Sequence, residues 1–343
     1  MLTQNESITK LTQDIKLSIL IPCYNWDMYN LINNLYDLCN KEVRLNDFEI
    51  ISIEDGSTNF FSNISIKSLK NVQYEILSKN IGRSSIRNLL AKKAKFNWLL
   101  FMDCDSKIAT QDFIWNYIEK IIISEENTKI LNKIQPDLID LQEKIQNNIY
   151  YGETIYEKIK TTHTLHQKYG LRIESKRKKK IFSSHHFLIH KSTFQKHKFD
   201  EKIISYGYED VLFQMQNNSA PINISNKHIL NSKEHLIFHF IKNPLYHIGL
   251  KTNMNFIKDT ESGLKNLLKY IKNKDLVYKI KILKWWSIVS LFRLKKPIIF
   301  IFKIFKKSIL KNLNSNNPNL LLFQFYKLGF FLSIEHNLSK KSK

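Results

Sequence analysis

The chain has 343 residues, of which 43% are hydrophobic, and its 8 Gly and 6 Pro argue against a low-complexity protein. Its length exceeds one average domain, so we expect a main domain with an appendage. The three cysteines form neither an even set nor a CxxC pair, which favours a reducing compartment without a disulfide framework. The polar first residues lack the apolar core of a signal peptide, and the sequence offers no uncharged apolar run of membrane-spanning length.

The net charge of +22 is spread unevenly along the chain. Residues 251–343 contain 20 Lys or Arg and 4 Asp or Glu, a net charge of +16, which leaves +6 for the first 250 residues. The first part therefore has the charge balance of an ordinary domain. The last quarter is suited to meeting an anionic surface.

The first hundred residues alternate buried-strand patterns with helical ones. Short apolar runs predict four strands, in KLSILIPCYN (ended by Pro22), FEIISIEDGS (closed by Glu54 and Asp55), VQYEILS and FNWLLFMDCDS. Apolar residues at helical spacing predict helices over Asp27–Cys39 and Ser84–Ala94. Strands that alternate with helices form right-handed βαβ units, so the predicted fold class is α/β, with a mostly parallel sheet flanked by helices.

The pattern between Asp112 and Asn253 is less regular. We expect a helix from Asp112 into the Ile121–Ile123 run and a second helix over Asp137–Tyr150. FSSHHFLIHKSTF predicts a strand that returns to the sheet, YGYEDVLFQMQ a loop that enters a helix, and HLIFHFIKNPLYHIG a late strand. From Asn253 onward the pattern is helical and rich in Lys and aromatic residues.

The polar clusters of the predicted sheet fall where its strands end, which is where parallel sheets bind ligands. The run LLFMDCDS ends in Asp103 and Asp105. Because alternate residues of a strand point to the same side, both carboxylates can face one point. A divalent cation, Mn²⁺ or Mg²⁺, prefers such oxygens together with substrate phosphates. The alternative for a bare DxD is a solvated turn at the end of a strand.

Five of these stretches occur in an order that resembles family 2 glycosyltransferases of the GT-A fold, of the bacterial polysaccharide type. They are SILIPCYN, IEDGS, NIGRSSIRNLLAKKA, LLFMDCDS and YGYEDVLF. The resemblance implies a GT-A-type, Rossmann-like sheet over residues 16–252, with a nucleotide-binding half (16–110) and an acceptor half (111–252). A polar lead (1–15) would precede this domain, and a basic amphipathic helical extension (253–343) would follow it.

The resemblance also implies roles on the donor side. Asp103 and Asp105 would bind the metal that holds the donor diphosphate, and Asp55 would accept a hydrogen bond from a nucleobase imide. Arg83 begins a predicted helix and would bind phosphate, with pairing to a core carboxylate as the alternative. Tyr24 would contact the nucleotide or simply pack. The implied nucleotide-sugar pocket comprises Pro22, Tyr24, Asn25, Asp55, Arg83 and Asp103.

On the acceptor side, the resemblance assigns the general base to a carboxylate of the ED motif at a helix start. We assign Asp210 as the base and Glu209 as the acceptor-binding residue. Helix capping alone is the competing interpretation, mainly for Glu209. Related enzymes complete the metal shell with a late histidine, for which His247 in NPLYHIG is the first candidate and His239 the second.

Residues 281–311 interleave Lys with apolar and aromatic residues, and Pro297 is expected to divide them into two helices. This pattern favours an anionic membrane surface, because the apolar content is too high for a solvated nucleic-acid-binding arm. Packing against the catalytic domain is the alternative. We therefore expect a cytoplasmic protein that is peripheral on the inner face of the plasma membrane and does not bind nucleic acid.

Together these features predict an inverting, metal-dependent glycosyltransferase of hexosyl or N-acetylhexosaminyl type. It would move sugar from a nucleotide diphosphate, such as UDP, to a glycan or lipid-linked glycan hydroxyl in cell-surface polysaccharide synthesis. An inactive membrane-associated scaffold on the same fold is the main alternative. A sugar nucleotidyltransferase is disfavoured, because PCYNWDMYN replaces the Gly-rich loop that such an enzyme needs after the first strand.

Overall fold

The computed structural model describes residues 14–59, 62–134, 147–157, 164–175, 182–203, 206–217, 235–269 and 280–341. The described strands form one mixed eight-stranded sheet in the order β3-β2-β1-β4-β7-β6-β8-β5. They are β1 (Lys16–Cys23), β2 (Asp47–Glu54), β3 (Val72–Ile76), β4 (Trp98–Met102), β5 (Ser106–Ile108), β6 (Asn148–Ile155), β7 (His186–His190) and β8 (Ile237–His247).

Helices flank the sheet and make up the C-terminal region. Those around the sheet are α1 (Tyr29–Lys41), α2 (Arg83–Lys93), α3 (Trp115–Ile134), α4 (Leu165–Tyr169), α5 (Lys191–Lys196) and α6 (Glu209–Asn217). The C-terminal helices are α7 (Asn253–Leu268), α8 (Lys281–Leu291), α9 (Lys295–Leu313) and α10 (Leu320–Lys341). The structure is thus an α/β sheet flanked by helices with a helical C-terminal region, as the sequence predicts.

Strands β3, β2, β1 and β4 are parallel to one another, and both faces of this half are covered. On β1, Leu17, Ile19 and Ile21 belong to the hydrophobic core beneath α1. The intervening Leu20 belongs to the core on the opposite face, which includes Ile86 of α2. Because successive side chains of a strand alternate between faces, the continuous apolar run in β1 serves both layers.

The second half of the sheet brings a late strand beside the end of β4. Strand β7 pairs antiparallel with β4, so that Met102 lies opposite His186. Strand β6 connects β7 to β8, and the short β5 pairs antiparallel with β8, with Ser106 opposite His247. His247 therefore reaches the Asp103–Asp105 turn through strand pairing rather than through proximity in sequence.

Several predicted element boundaries differ from the observed ones. Strand β1 continues through Pro22 to Cys23, and the first helix begins at Tyr29 rather than Asp27. Of the helix predicted over Asp137–Tyr150, residues 137–146 lie outside the described residues. Its last residues instead begin β6, where burial alternates as expected for a strand.

The predicted division of the C-terminal segment into two helices is confirmed, but Pro297 does not make it. Helix α8 ends before Phe292, and the chain turns at Arg293, whose φ is 56°. Pro297 lies in the first turn of α9, where a helix does not use the backbone N–H and proline is tolerated. No helix within the described ranges is long and apolar enough to cross a membrane.

The C-terminal helices pack against the sheet-containing part of the chain. The Phe256 ring of α7 stacks on His166 of α4, with ring centroids 4.4 Å apart. Phe323 of α10 packs on Phe256 and Tyr169, and Phe302 of α9 packs on Tyr326 of α10. The domain division at residue 252 stays a prediction. Aromatic side chains pack across this position and join the C-terminal helices to the sheet-containing part.

Gly56, which follows β2, provides a test of the fold. Its φ is 66°, and an added Cβ would lie 2.3 Å from the Asn80 backbone nitrogen. We expect Gly56→Ala to lower the free energy of unfolding by about 2–4 kcal/mol, since left-handed strain adds to overpacking. Urea denaturation measures this loss. Asn71, whose φ is 64°, is the control, because Asn71→Ala at this exposed position adds strain alone. Equal losses in both variants would contradict the packing argument.

Candidate active site

A cavity of about 310 Å³ lies where the ends of β4, β6 and β8 meet α6 and the C-terminal helices. Six residues that the sequence marked as candidates line it together: Arg83, Asp103, Asp105, Glu209, Asp210 and His247. They come from four separate places in the chain. The fold thus collects the predicted phosphate, metal and base residues around one space.

A buried arginine lies beside the carboxylates of Asp103 and Glu209 at the back of this cavity. Arg87 on α2 is 1% exposed, and its guanidinium donates to the Asp103 carboxylate at 2.7 Å. The Glu209 carboxylate lies 3.9 Å from Arg87 and 3.4 Å from Arg83. Burial favours the neutral form of Glu209, but the two arginines outweigh it and lower the pKa of this carboxyl. Glu209 is therefore a charged partner of both arginines.

Arg83 sits at the front of the same cluster. Its side chain is 40% exposed, whereas that of Arg87 is buried, and its guanidinium lies over the Tyr206 ring at 4.3 Å. It is the first residue of α2, so backbone N–H groups lie beside it. This arrangement leaves donors facing the cavity, as binding of an anionic group requires.

Asp105 and His247 form the second charged pair of the cavity. The Asp105 Oδ2 and His247 Nε2 atoms are 3.3 Å apart, and the Ile248 N–H donates to the Asp105 carbonyl at 2.9 Å. Burial opposes ionisation of both groups, yet their mutual attraction lowers the pKa of Asp105 and raises that of His247. Asp103 differs, because burial outweighs its arginine partners and raises its pKa.

His185 braces the turn that carries both aspartates, a role that sequence reasoning did not assign. Its Nε2 lies 3.0 Å from the Ser106 hydroxyl, which donates to the Asp103 carbonyl at 2.7 Å. Its Nδ1 lies 3.1 Å from the Thr154 hydroxyl, and its carbonyl accepts the Asp103 N–H. The SSHHF stretch is visible in the sequence, but the contacts of His185 follow only from the pairing of β7 with β4.

The loop before α6 holds strained backbone next to the predicted base. Gly207 and Tyr208 have φ values of 105° and 68°. The Glu209 carboxylate accepts the Gly207 N–H at 3.0 Å, which turns Glu209 back toward the arginines. Asp210 follows it and lines the cavity. A positive φ costs energy at a non-glycine residue such as Tyr208. Backbone of this conformation is frequent at functional sites.

The residues predicted to surround a nucleobase lie outside the cavity lining, at the ends of β1 and β2. The Asp55 carboxylate is 4% exposed and accepts the Ile81 and Gly82 N–H groups. The Asn25 amide oxygen accepts N–H groups from the loop after β2, at Thr58 and Asn59. Pro22 is half-buried in β1, and Tyr24 is half-exposed. Their contact with a base stays a prediction.

His239 lies away from the cavity, so the structure does not support it as a second metal candidate. It is exposed, its ring stacks on Tyr150, and its Nε2 lies 2.7 Å from the Asn148 amide oxygen. The reason is strand register, because His239 pairs opposite Tyr150, eight residues before the end of β8.

The outer wall of the cavity comes from residues that the sequence analysis did not single out. His166, Tyr206 and Lys251 line it, and helix α10 contributes Phe323 and Lys327. Among the lysines that the structure describes, only Lys327 is buried. Its ammonium lies near the ring faces of Tyr169 and Phe323. No local motif marks these positions, because they meet only when the helices pack.

A divalent metal ion, implied by the resemblance, would find suitable donors beside Asp105. The Asp105 carboxylate and His247 imidazole are in contact, and Asp103 lies two residues away. Within the described ranges no three His, Cys, Asp or Glu side chains form a complete metal-binding group. Because Mg²⁺ is commonly held by one or two carboxylates with phosphates and waters, this donor set fits a metal that binds together with a nucleotide.

The acidic turn, Arg83 and the carboxylates at the start of α6 thus surround one cavity at the strand ends of an α/β sheet. Residues 18–121 match the model of glycosyl transferase family 2. This match covers β1 to β5 and includes Asp55, Arg83, Asp103 and Asp105. The first part of the chain, up to a point within α3, is thus similar to glycosyl transferase family 2.

The chain is also similar to two curated proteins. It is 37% identical over 93 residues to chondroitin synthase of Escherichia coli, covering 26% of this chain and 13% of that protein. It is 28% identical over 109 residues to a teichoic acid poly(glycerol phosphate) polymerase of Staphylococcus epidermidis, covering 31% and 15%. The matches thus span less than one sixth of either relative.

Among solved structures, the chain is similar to S. aureus TarS. The match has a TM-score of 0.42 and 17% identity, and covers 76% of this chain and 40% of that one. A TarS 1–349 structure in complex with UDP gives a TM-score of 0.42 and 14% identity, covering 95% and 92%. The likeness is remote.

The buried arginine provides a test of the site's architecture. We expect Arg87→Met to lower the free energy of unfolding by about 3–5 kcal/mol, because the partly buried Asp103 carboxylate loses its guanidinium partner and the buried Glu209 keeps only Arg83. Urea denaturation measures the loss. The control is Lys93→Met, which breaks a solvent-accessible pair with Glu75 and should cost less than about 1 kcal/mol. Similar losses in both variants would contradict the organising role of Arg87.

Proposed function

We propose that the protein is a metal-dependent, inverting glycosyltransferase that takes sugar from a nucleotide diphosphate, most simply a UDP-sugar. The observation that carries this proposal is the convergence of Asp103, Asp105 and Asp210 on one cavity with Arg83. The family match of the nucleotide-binding half supports the same reaction class. Two relatives are named as a synthase and a polymerase of polysaccharides or teichoic acid, so we extend the proposal to cell-surface polymer synthesis.

On the donor side, Arg83 binds the diphosphate with donors that face the cavity. Asp105 and His247 would hold the divalent ion, with Asp103 beside them. The ion, when bound, supplies positive charge for the departing diphosphate and a template for its oxygens. Arg87 fixes the Asp103 carboxylate from behind, so the acidic turn keeps its position while the diphosphate binds.

The nucleobase lies on the neighbouring strand ends in this proposal. Tyr24 is half-exposed and offers a ring face beside Pro22, while Asn25 holds the loop after β2 in place. Asp55 accepts two backbone N–H groups and retains further lone pairs for an imide N–H such as that of uracil. Asp55 also bonds the Gly82 N–H next to Arg83, which couples the base end to the phosphate end.

On the acceptor side, Asp210 takes the proton from an acceptor hydroxyl. The hydroxyl oxygen attacks the anomeric carbon, a carbon–oxygen bond forms, and the bond to the diphosphate breaks on the opposite face. The electron pair leaves with the diphosphate, and a single displacement inverts the anomeric configuration. Glu209 would contact the acceptor near its arginine partners. The acceptor is a glycan or a lipid-linked glycan, reached at an anionic membrane surface by the basic segment 281–311.

Donor binding is tested by calorimetric titration of UDP with and without Mn²⁺. We expect binding to require Mn²⁺, and Asp105→Asn to weaken it about 100-fold, because a charge ligand of the ion is lost. Asp112→Asn, at an exposed aspartate that follows β5, is the control and should bind like the natural protein. Failure of UDP, GDP and other nucleotides to bind under any condition would remove the transferase proposal and favour an inactive scaffold.

Asp210→Asn tests the base separately from donor binding. We expect UDP affinity to change less than about threefold, while turnover of UDP-sugar with acceptor falls about 10²–10⁴-fold. Release of UDP in the presence of a glycan acceptor mixture measures turnover. Unchanged turnover would exclude Asp210 as the base.

A further inference from the structure

The C-terminal helices carry an exposed apolar stripe that the catalytic proposal does not use. On α8, the exposed positions Trp285, Ile288 and Phe292 recur at helical spacing, and Leu291, 79% exposed, lies beside them. The buried positions Ile282, Leu283 and Val289 lie on the other side of α8 and pack in the protein. The helix therefore has two apolar sides, of which only one is covered.

Helix α9 repeats this arrangement. Phe300, Ile301, Ile304 and Phe305 are exposed, whereas Phe302 and Ile309 are buried against α10 and its neighbours. Lys303 and Lys307 are exposed beside the outer apolar residues. The turn between α8 and α9, at Phe292–Leu294, is also exposed and apolar on both sides of Arg293. Each of the two helices thus has an exposed apolar side, and an exposed apolar turn joins them.

We define the docking face as Trp285, Ile288, Leu291, Phe292, Leu294, Phe300, Ile301, Ile304 and Phe305. An exposed apolar surface of this kind marks an interaction site. The segment that carries it is basic, because residues 280–313 contain nine Lys or Arg and no Asp or Glu, and of these Lys295 pairs with Glu335 of α10. Apolar side chains flanked by cations complement a bilayer that has an acyl interior and anionic headgroups.

We propose that the docking face inserts into the headgroup boundary of a bilayer that contains anionic lipid. The Phe292 and Leu294 side chains enter the headgroup boundary, while Arg293 and the lysines of α8 and α9 lie at the level of the phosphates. A nucleic acid fits this surface less well, because phosphate backbones need exposed cations and offer nothing to cover five aliphatic and three phenylalanine side chains in addition to Trp285.

Docking would also define the acceptor, an extension that rests on the proposed function. Phe302 of α9 packs on Tyr326 of α10, and α10 supplies Phe323 and Lys327 to the cavity wall. Only one helix thus separates the docking face from the cavity, and packed helix axes lie about 8–10 Å apart. A cavity held this close to the headgroups suits an acceptor that is anchored in the same bilayer.

The test is co-sedimentation of the full chain with vesicles of phosphatidylglycerol and phosphatidylcholine, or of phosphatidylcholine alone. We expect binding to the first and about 100-fold weaker binding to the second. Replacing two phenylalanines, Phe300→Ser with Phe305→Ser, should weaken partitioning about tenfold or more. Lys303→Gln with Lys307→Gln should weaken it about 30-fold at low salt, at about fivefold per lysine. Val43→Ser with Ile64→Ser, exposed apolar residues elsewhere, is the matched control.

The proposal would be overturned if the phenylalanine variant and its control partitioned equally. It would also be overturned if the protein, offered both in competition, bound duplex RNA more strongly than anionic vesicles. UDP binding is measured on the same variants and should not change, because none of these residues lines the cavity. If the natural protein binds vesicles but does not bind UDP, the result contradicts the proposed function and leaves the membrane docking standing.

Discussion

The buried ion cluster around Arg87 is the interaction on which the site depends. One guanidinium from α2 meets Asp103 after β4 and lies near Glu209 at the start of α6, so it joins three distant parts of the chain. A buried carboxylate without a cation is costly, and so is a buried arginine without an anion. The two carboxylates and the guanidinium therefore fix one another, and the acidic turn is in place before any ligand binds.

The sequence predicted the parallel half of the sheet closely, because each of its strands is a short apolar run with a polar end. The second half was harder to predict. Asp137–Tyr150 was assigned to a helix although β6 begins at Asn148, since a short apolar run does not distinguish the two states. Of the two candidate metal-binding histidines, His247 lies at the cavity and His239 does not, because the pairing of β8 decides which histidine faces the acidic turn.

The cavity wall contributed by α4, α7 and α10 was not predictable from local pattern. Lys327 and Phe323 lie more than 200 residues from Asp103 in the chain. The sequence around them has the pattern of an ordinary helix. The C-terminal region thus has two sides. One side completes the cavity, and the other side exposes the apolar and basic surface of α8 and α9. The packing of α9 on α10 joins these two sides.

The most direct test of the account is a crystal structure of the protein with UDP and Mn²⁺, with data collected at the manganese absorption edge. We expect an anomalous peak beside the Asp105 carboxylate and the His247 imidazole, with Arg83 in contact with the diphosphate. UDP bound elsewhere, or a manganese peak remote from Asp105 and His247, would contradict it.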